Sequence, residues 1–172
     1  MKFILIALFA ILLNKRDVNT SHFRGGTISW APVDPDVIYS TPMPSYVEVA
    51  ITTRFFWAIS TAPLCDTTPE IAAHALIGDS TSITPLTGPA SWFINSQVNC
   101  YDFSVTDGWS AGVRTQIVNV STAVEVISNY TSCCWVTGVT SVSGSTSWSL
   151  PFTIDLRGRR FLVFVLFFFC KI

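Results

Sequence analysis

Apolar and polar side chains alternate strictly in several stretches of the chain. Over residues 45–59, Val47, Val49, Ile51, Thr53, Phe55 and Trp57 fall on one side of an extended backbone. Glu48, Ala50, Thr52 and Arg54 fall on the other. A two-residue period of this kind predicts a half-buried strand of an antiparallel sheet. Phe56 interrupts the polar side and suggests a second layer there. Residues 147–157 alternate more cleanly still. Trp148, Leu150, Phe152, Ile154 and Leu156 share one side, and Ser149, Pro151, Thr153 and Asp155 the other. Pro151 has no amide hydrogen to give a neighbour, so this strand is predicted at a sheet edge.

Weaker patterns fill the remainder. Residues 21–30 read as a first strand, with Gly25-Gly26 marking a bulge or a close backbone approach. Pro32, Pro35, Pro42 and Pro44 make residues 31–44 an irregular crossing segment. Thr68-Pro69-Glu70-Ile71 has the order of a helix start: a hydroxyl, a first-turn proline, then an acid. Residues 69–77 fit a short helix or an extended segment equally well. Residues 81–86 and 90–94 are short strand candidates around the turn Thr87-Gly88-Pro89. Residues 97–106 place Tyr101, Phe103 and Val105 opposite Cys100, Asp102 and Ser104, and Asp107-Gly108 then turns the chain. Over residues 113–127, Val118, Val120, Val124 and Val126 align on one face, with Asn119 and Ser121 on the other. The Ser/Thr/Gly-rich stretch 136–147 reads as a hairpin loop. About seven to nine short strands with turn signals between them predict an all-β fold, an antiparallel β-sandwich of the immunoglobulin or cadherin type with at most one short helix.

The two ends differ from this middle. Lys2 followed by eleven apolar residues has the form of a signal peptide, predicted to occupy residues 1–20. The run is too short for a spanning helix, which needs about 20 residues. Residues 158–172 join a basic cluster, Arg159-Arg160, to an apolar run from Phe161 to Cys170. That tail reads as a membrane anchor, as a segment removed by processing, or as translated intron. The domain is therefore bounded at residues 21–157, and the predicted location is secreted or cell surface.

Trimming the ends changes the charge. Residues 21–157 hold four arginines, ten carboxylates and no lysine, a net of −6 against −1 for the whole chain. An acidic domain repels phosphate backbones, which argues against nucleic acid as a partner.

The stretch Ser132-Cys133-Cys134-Trp135-Val136 carries the clearest covalent signal. In a strand, Cys133 and Cys134 point to opposite faces. With Cys65 and Cys100 upstream, four cysteines behind a secretory start predict two disulfides, with three connectivities open. A bond between adjacent cysteines is strained, so the favoured pairing joins one of them to Cys65 and the other to Cys100. Asn119-Val120-Ser121 and Asn129-Tyr130-Thr131 are N-glycosylation sequons, and Asn19-Thr20-Ser21 is a third if it survives cleavage.

Catalytic chemistry is sparse. Gly78-Asp79-Ser80-Thr81 resembles the nucleophile block of one esterase class, making Ser80 the candidate of a secreted serine hydrolase. That class also needs a downstream Asp-x-x-His, whereas His22 and His74 both lie upstream. Asp34 and Asp36 bracket a proline and are weak calcium candidates, with solvated turn acids as the plainer reading. No phosphate loop, dinucleotide fingerprint or zinc spacing is present, so no cofactor is predicted. Six tryptophans have the chemistry of a sugar-stacking face, although packing is the commoner use of Trp.

His22-Phe23-Arg24-Gly25-Gly26-Thr27-Ile28-Ser29-Trp30, Cys133-Cys134-Trp135 and the closing Trp148 with Ile154-Asp155-Leu156 together resemble a known kind of domain. It is the leading domain of large extracellular multidomain proteins of invertebrates and some bacteria, in which immunoglobulin-, cadherin- or EGF-like modules often follow. The resemblance covers nearly all of residues 21–157. It implies a non-catalytic surface or matrix module. The leader, cysteines, sequons and strand pattern together predict an extracellular recognition or adhesion module with a protein or glycan ligand, touching a membrane only through the tail. It assigns no binding residue.

Overall fold

The alternation of residues 46–58 builds the longest strand pairing in the molecule. The computed structural model describes residues 23–59, 65–89, 91–132 and 148–157. Cys133, Cys134, Trp135, Asn19, residues 1–20 as a whole and the 158–172 tail lie outside them. In β2 (Tyr46–Ala58) every odd position from Val47 to Trp57 is buried, as the period requires. β2 lies between β1 (Phe23–Pro32) and β7 (Trp109–Ser121), antiparallel to both. Beyond β7 come β6 (Val98–Ser104) and the two-residue β3 (Leu76–Ile77), completing a sheet of order β1-β2-β7-β6-β3. The second sheet, of order β5-β4-β8-β9, uses β4 (Ser82–Pro85), β5 (Ile94–Asn95), β8 (Val126–Ser132) and β9 (Trp148–Ile154). The described residues thus form an antiparallel β-sandwich of nine strands with one short α-helix, α1 (Thr68–Ala72), and a single 3-10 turn at Val37–Tyr39.

The inward rows of the two sheets form one core. Ile28, Trp30, Val49, Ile51, Phe55, Trp57, Val98 and Val120 of the first sheet meet Ile83, Ile94, Val126, Tyr130, Leu150, Phe152 and Ile154 of the second. Phe55 stacks on Tyr130 across the gap, ring centroids 5.0 Å apart. Side chains also join the two sheets by hydrogen bonds. Trp30 Nε1 donates to the Thr153 carbonyl of β9 at 2.8 Å. The Gln116 amide of β7 reaches beyond the end of β6 to Asn95 of β5. It accepts the Asn95 N–H at 3.0 Å and donates to its carbonyl at 2.8 Å, copying a strand pairing.

Both glycines of β1 are explained. Gly25 sits at the register shift against β2 with φ 145°, and a Cβ on Gly26 would stand 2.5 Å from the Arg54 carbonyl. Pro151 lies in edge strand β9, where its missing N–H costs nothing. Around α1, Thr67 rather than Thr68 is the N-cap. The Glu70 carboxylate accepts the amides of Asp66 and Thr67 at 2.8 and 3.0 Å, closing a capping box. Those hydrogen bonds, that from Asp66 first, hold the Glu70 carboxyl below its usual range.

Several expectations are corrected. The run over 113–127 is two strands, because residues 122–125 turn the chain from the first sheet into the second. Ser121 is buried rather than outward, and its Oγ accepts the Ala123 amide at 3.3 Å. In β6 the register shifts between Cys100 and Asp102, so Tyr101 is the extra residue of a bulge. Tyr101 and Val105 are consequently exposed while Cys100 is buried. Phe56 meets no second layer among the described residues. It faces outward and packs edge-to-face on Trp109, centroids 6.1 Å apart. The favoured disulfide pairing is also overturned. Cys65 is bonded to Cys100, because the segment leading into α1 runs beside β6.

No helix among the described residues is long and apolar enough to cross a membrane.

Candidate functional site

The turn that carries Ser80 was the one catalytic candidate in the sequence. Gly78 enters it with φ 90°, a conformation that glycine adopts freely. A Cβ there would lie 2.8 Å from the Trp57 indole. The polar groups that follow are committed to structure. The Asp79 carboxylate accepts the Ser132 hydroxyl at 2.5 Å. Ser96, fully buried, donates to the Asp79 carbonyl at 2.6 Å and accepts the Thr81 amide at 3.1 Å. This network ties the β3–β4 connection to the β5–β6 connection and to β8. Ser80 itself is exposed, and His74 stands exposed after α1 with φ 51°. A serine nucleophile needs a base within hydrogen-bond reach, and Asp79 is occupied by Ser132.

Tyr130 lies against the same network, facing Ser96 and Thr81. Burial, aided by the Asp79 charge and opposed by the nearby Ser96 and Thr81 hydroxyls, drives its phenol above the ordinary tyrosine value. The sign of the consequence is definite. A phenol whose folded pKa exceeds its unfolded pKa, about 10, favours folding below that pH and loses that contribution as pH rises through the folded value. Alkaline unfolding is therefore expected to begin above about pH 10, and Tyr130→Phe to move it higher. Circular dichroism across pH 8–12 reads both. An unmoved alkaline midpoint in Tyr130→Phe would contradict the assignment.

The calcium candidates Asp34 and Asp36 lie on the surface. Asp34 Oδ1 accepts the Asp36 amide at 2.9 Å, a turn-capping bond between exposed residues. Among the described residues no group of three or more His, Cys, Asp or Glu side chains gathers to hold an ion. The arginines are dispersed. Arg157 pairs with Asp155 and Glu125 at 2.9 and 3.2 Å, Arg24 donates to the Asp107 carbonyl, and Arg114 reaches the Gln97 carbonyl. The hydrogen bond from Arg157 holds the Asp155 carboxyl below its usual range.

The outer faces of the two sheets carry rows of uncharged residues. On the first sheet the rows Ser29–Thr52–Thr115 and Ala31–Ala50–Ile117 cross three strands, with Thr52 and Thr115 hydroxyls 2.9 Å apart. On the second, Thr84, Asn129 and Pro151 form one row. Each described sequon asparagine lies on one of these faces. Asn119 is exposed opposite Glu48, while its neighbours Val118 and Val120 are buried. Asn129 is half-buried, and its Oδ1 accepts the Ser149 hydroxyl at 2.7 Å. Of the tryptophans, Trp30 and Trp57 are core residues, and Trp92 is partly buried against the core. Sequence reasoning missed that Leu86 and Phe93, just beyond β4 and just before β5, are exposed, because those strands are too short to show a period.

No protein-family model matches the chain, and no solved structure matches it. Among curated proteins it is similar to integrin beta-like protein C of Dictyostelium discoideum, with 27% identity over 168 residues. The match covers 95% of this chain and 8% of the relative's length.

Proposed function

We propose that this chain is a non-catalytic extracellular recognition or adhesion module of a secreted or cell-surface protein, with a protein or glycan ligand. The observation that carries the reading is the extent of the similarity to integrin beta-like protein C. It runs through 95% of the chain, and so takes in the sandwich rather than a single motif. Two features support it. The Cys65–Cys100 disulfide suits an oxidising compartment. The Asp79 carboxylate beside Ser80 is engaged by the Ser132 hydroxyl, which ties the turn to β8.

The test is binding by the full chain, secreted from eukaryotic cells and clustered on a multivalent carrier. Saturable binding to cell surfaces or matrix proteins is expected, with Ser80→Ala binding as the parent does. The opposite result is no saturable binding, together with ester hydrolysis that Ser80→Ala abolishes. That would replace the proposal with a hydrolase.

A further inference from the structure

The exposed large apolar residues of the second sheet are gathered around one sequon. β4 and β8 pair with Thr84 opposite Asn129. Two residues further along, the Leu86 amide donates to the Ile127 carbonyl at 2.8 Å, which puts Leu86 beside Ile127. β4 and β5 pair with Ile83 opposite Ile94. One step more sets Phe93 beside Thr84. Across β8, Pro151 of β9 lies opposite Asn129. Because alternate residues share a face, Phe93, Leu86, Ile127 and Pro151 all stand on the outer face that bears Asn129. Phe93 is 70% exposed, Leu86 64% and Ile127 38%. Strand geometry puts Ile127 about 7 Å along from Asn129, and Phe93 two strand spacings away, about 10 Å. These three exposed apolar side chains on the Asn129 face have no covering group among the described residues.

We infer that Asn129 carries an N-linked glycan whose first sugars lie over Phe93, Leu86 and Ile127. Asn129-Tyr130-Thr131 supplies the acceptor sequence. In the modification, a bond forms between Asn129 Nδ2 and the anomeric carbon of an oligosaccharide carried on a lipid diphosphate. The sugar–phosphate bond breaks, and the amide proton leaves with the diphosphate. In the folded domain Ser149 holds the other end of the amide, Oδ1, at 2.7 Å. The sugar is thereby aimed away from β9, across Thr84 toward Phe93. The apolar C–H face of a pyranose and the methyl of its acetamido group match an aromatic ring and two aliphatic side chains.

The inference rests on the extracellular reading above, and one preparation separates the two. The full chain carrying Asn119→Gln, so that only one described sequon remains, is expressed in eukaryotic secretory cells. Failure to reach the medium would sink both ideas. Secreted protein with an unmodified Asn129, read by intact mass before and after glycosidase, overturns the glycan alone. With the glycan present, native trimming by an endoglycosidase is expected to lower the melting temperature by about 3 °C, an ordinary shift for a contact of this size. Dye binding to exposed apolar surface should rise with it. In Phe93→Ala/Leu86→Ala, both altered at exposed positions, the same trimming should lower the melting temperature by less than half as much. An equal loss in parent and variant refutes the contact. Trimming acts on folded protein, so the result does not depend on whether Asn129→Gln folds.

Discussion

Trp57→Ala is expected to destabilise the domain by about 3–5 kcal/mol, the range for removing a large aromatic side chain from a packed core. Trp57 is 1% exposed and closes the inward row of β2. Phe23 meets it edge-to-face with ring centroids 5.0 Å apart, and the Gly78 backbone lies directly against the indole. Phe23 in turn packs edge-to-face on Phe55 at 5.6 Å and on Tyr130 at 6.4 Å, so the aromatic set spans both sheets. Truncation leaves a cavity that these neighbours cannot fill, because β1, β2 and the Gly78 turn are each fixed by their own pairing. In a domain of this length the loss should lower the melting midpoint by roughly 10 °C or more. Urea unfolding should show a lower midpoint with an unchanged slope. Gly78→Ala attacks the same contact from the other side, through a φ of 90° and a methyl placed 2.8 Å from the ring. A midpoint in Trp57→Ala within a degree of the parent would mean that the indole is not buried as described.

The strands that sequence pattern located best are those whose period runs longest. The six inward residues of β2 are all buried, and the proline in β9 correctly marks an edge. Both follow from local chemistry: a side chain's face is set by the two-residue repeat, and a missing amide hydrogen is a property of one residue. Partner choice is different in kind. Nothing local says that Cys65 bonds Cys100, since that depends on the chain bringing the approach to α1 alongside β6. The Tyr101 bulge defeats the pattern for a related reason. One extra residue reverses the phase of everything beyond it, and the sequence around it contains no glycine to announce it. At Ser121 the alternation runs on through a turn, so valines on both sides of a sheet-to-sheet crossing look like one strand. The candidate catalytic turn shows the converse limit. Its Gly-Asp-Ser order is legible, but only coordinates reveal that Asp79 serves Ser132. Cys133 and Cys134 fall outside the described residues, and with Cys65 bonded to Cys100 neither has the partner that the sequence favoured.

The second large effect is expected from the one described disulfide. Replacing both Cys65 and Cys100 by serine should cost roughly 4 kcal/mol, the loop-closure entropy returned to the unfolded chain by releasing a span of this length. The bond joins residues 35 apart in sequence with Cα atoms 5.9 Å apart, and both cysteines are buried. Its structural effect should be uneven. α1 has five residues and β3 two, too few to hold by helix or strand pairing alone. Besides the bond, the contacts holding this region include the Cys100 amide on the Ala75 carbonyl at 2.7 Å and the β3–β6 ladder. Hydrogen exchange should therefore quicken first in residues 65–77 of the double variant, before β2 and β7 lose protection. Peptide mapping without reductant supplies the covalent check. The fragment containing Cys65 should be recovered bonded to the fragment containing Cys100, and recovery of either one bonded to Cys133 or Cys134 would remove the basis for both the stability loss and its location.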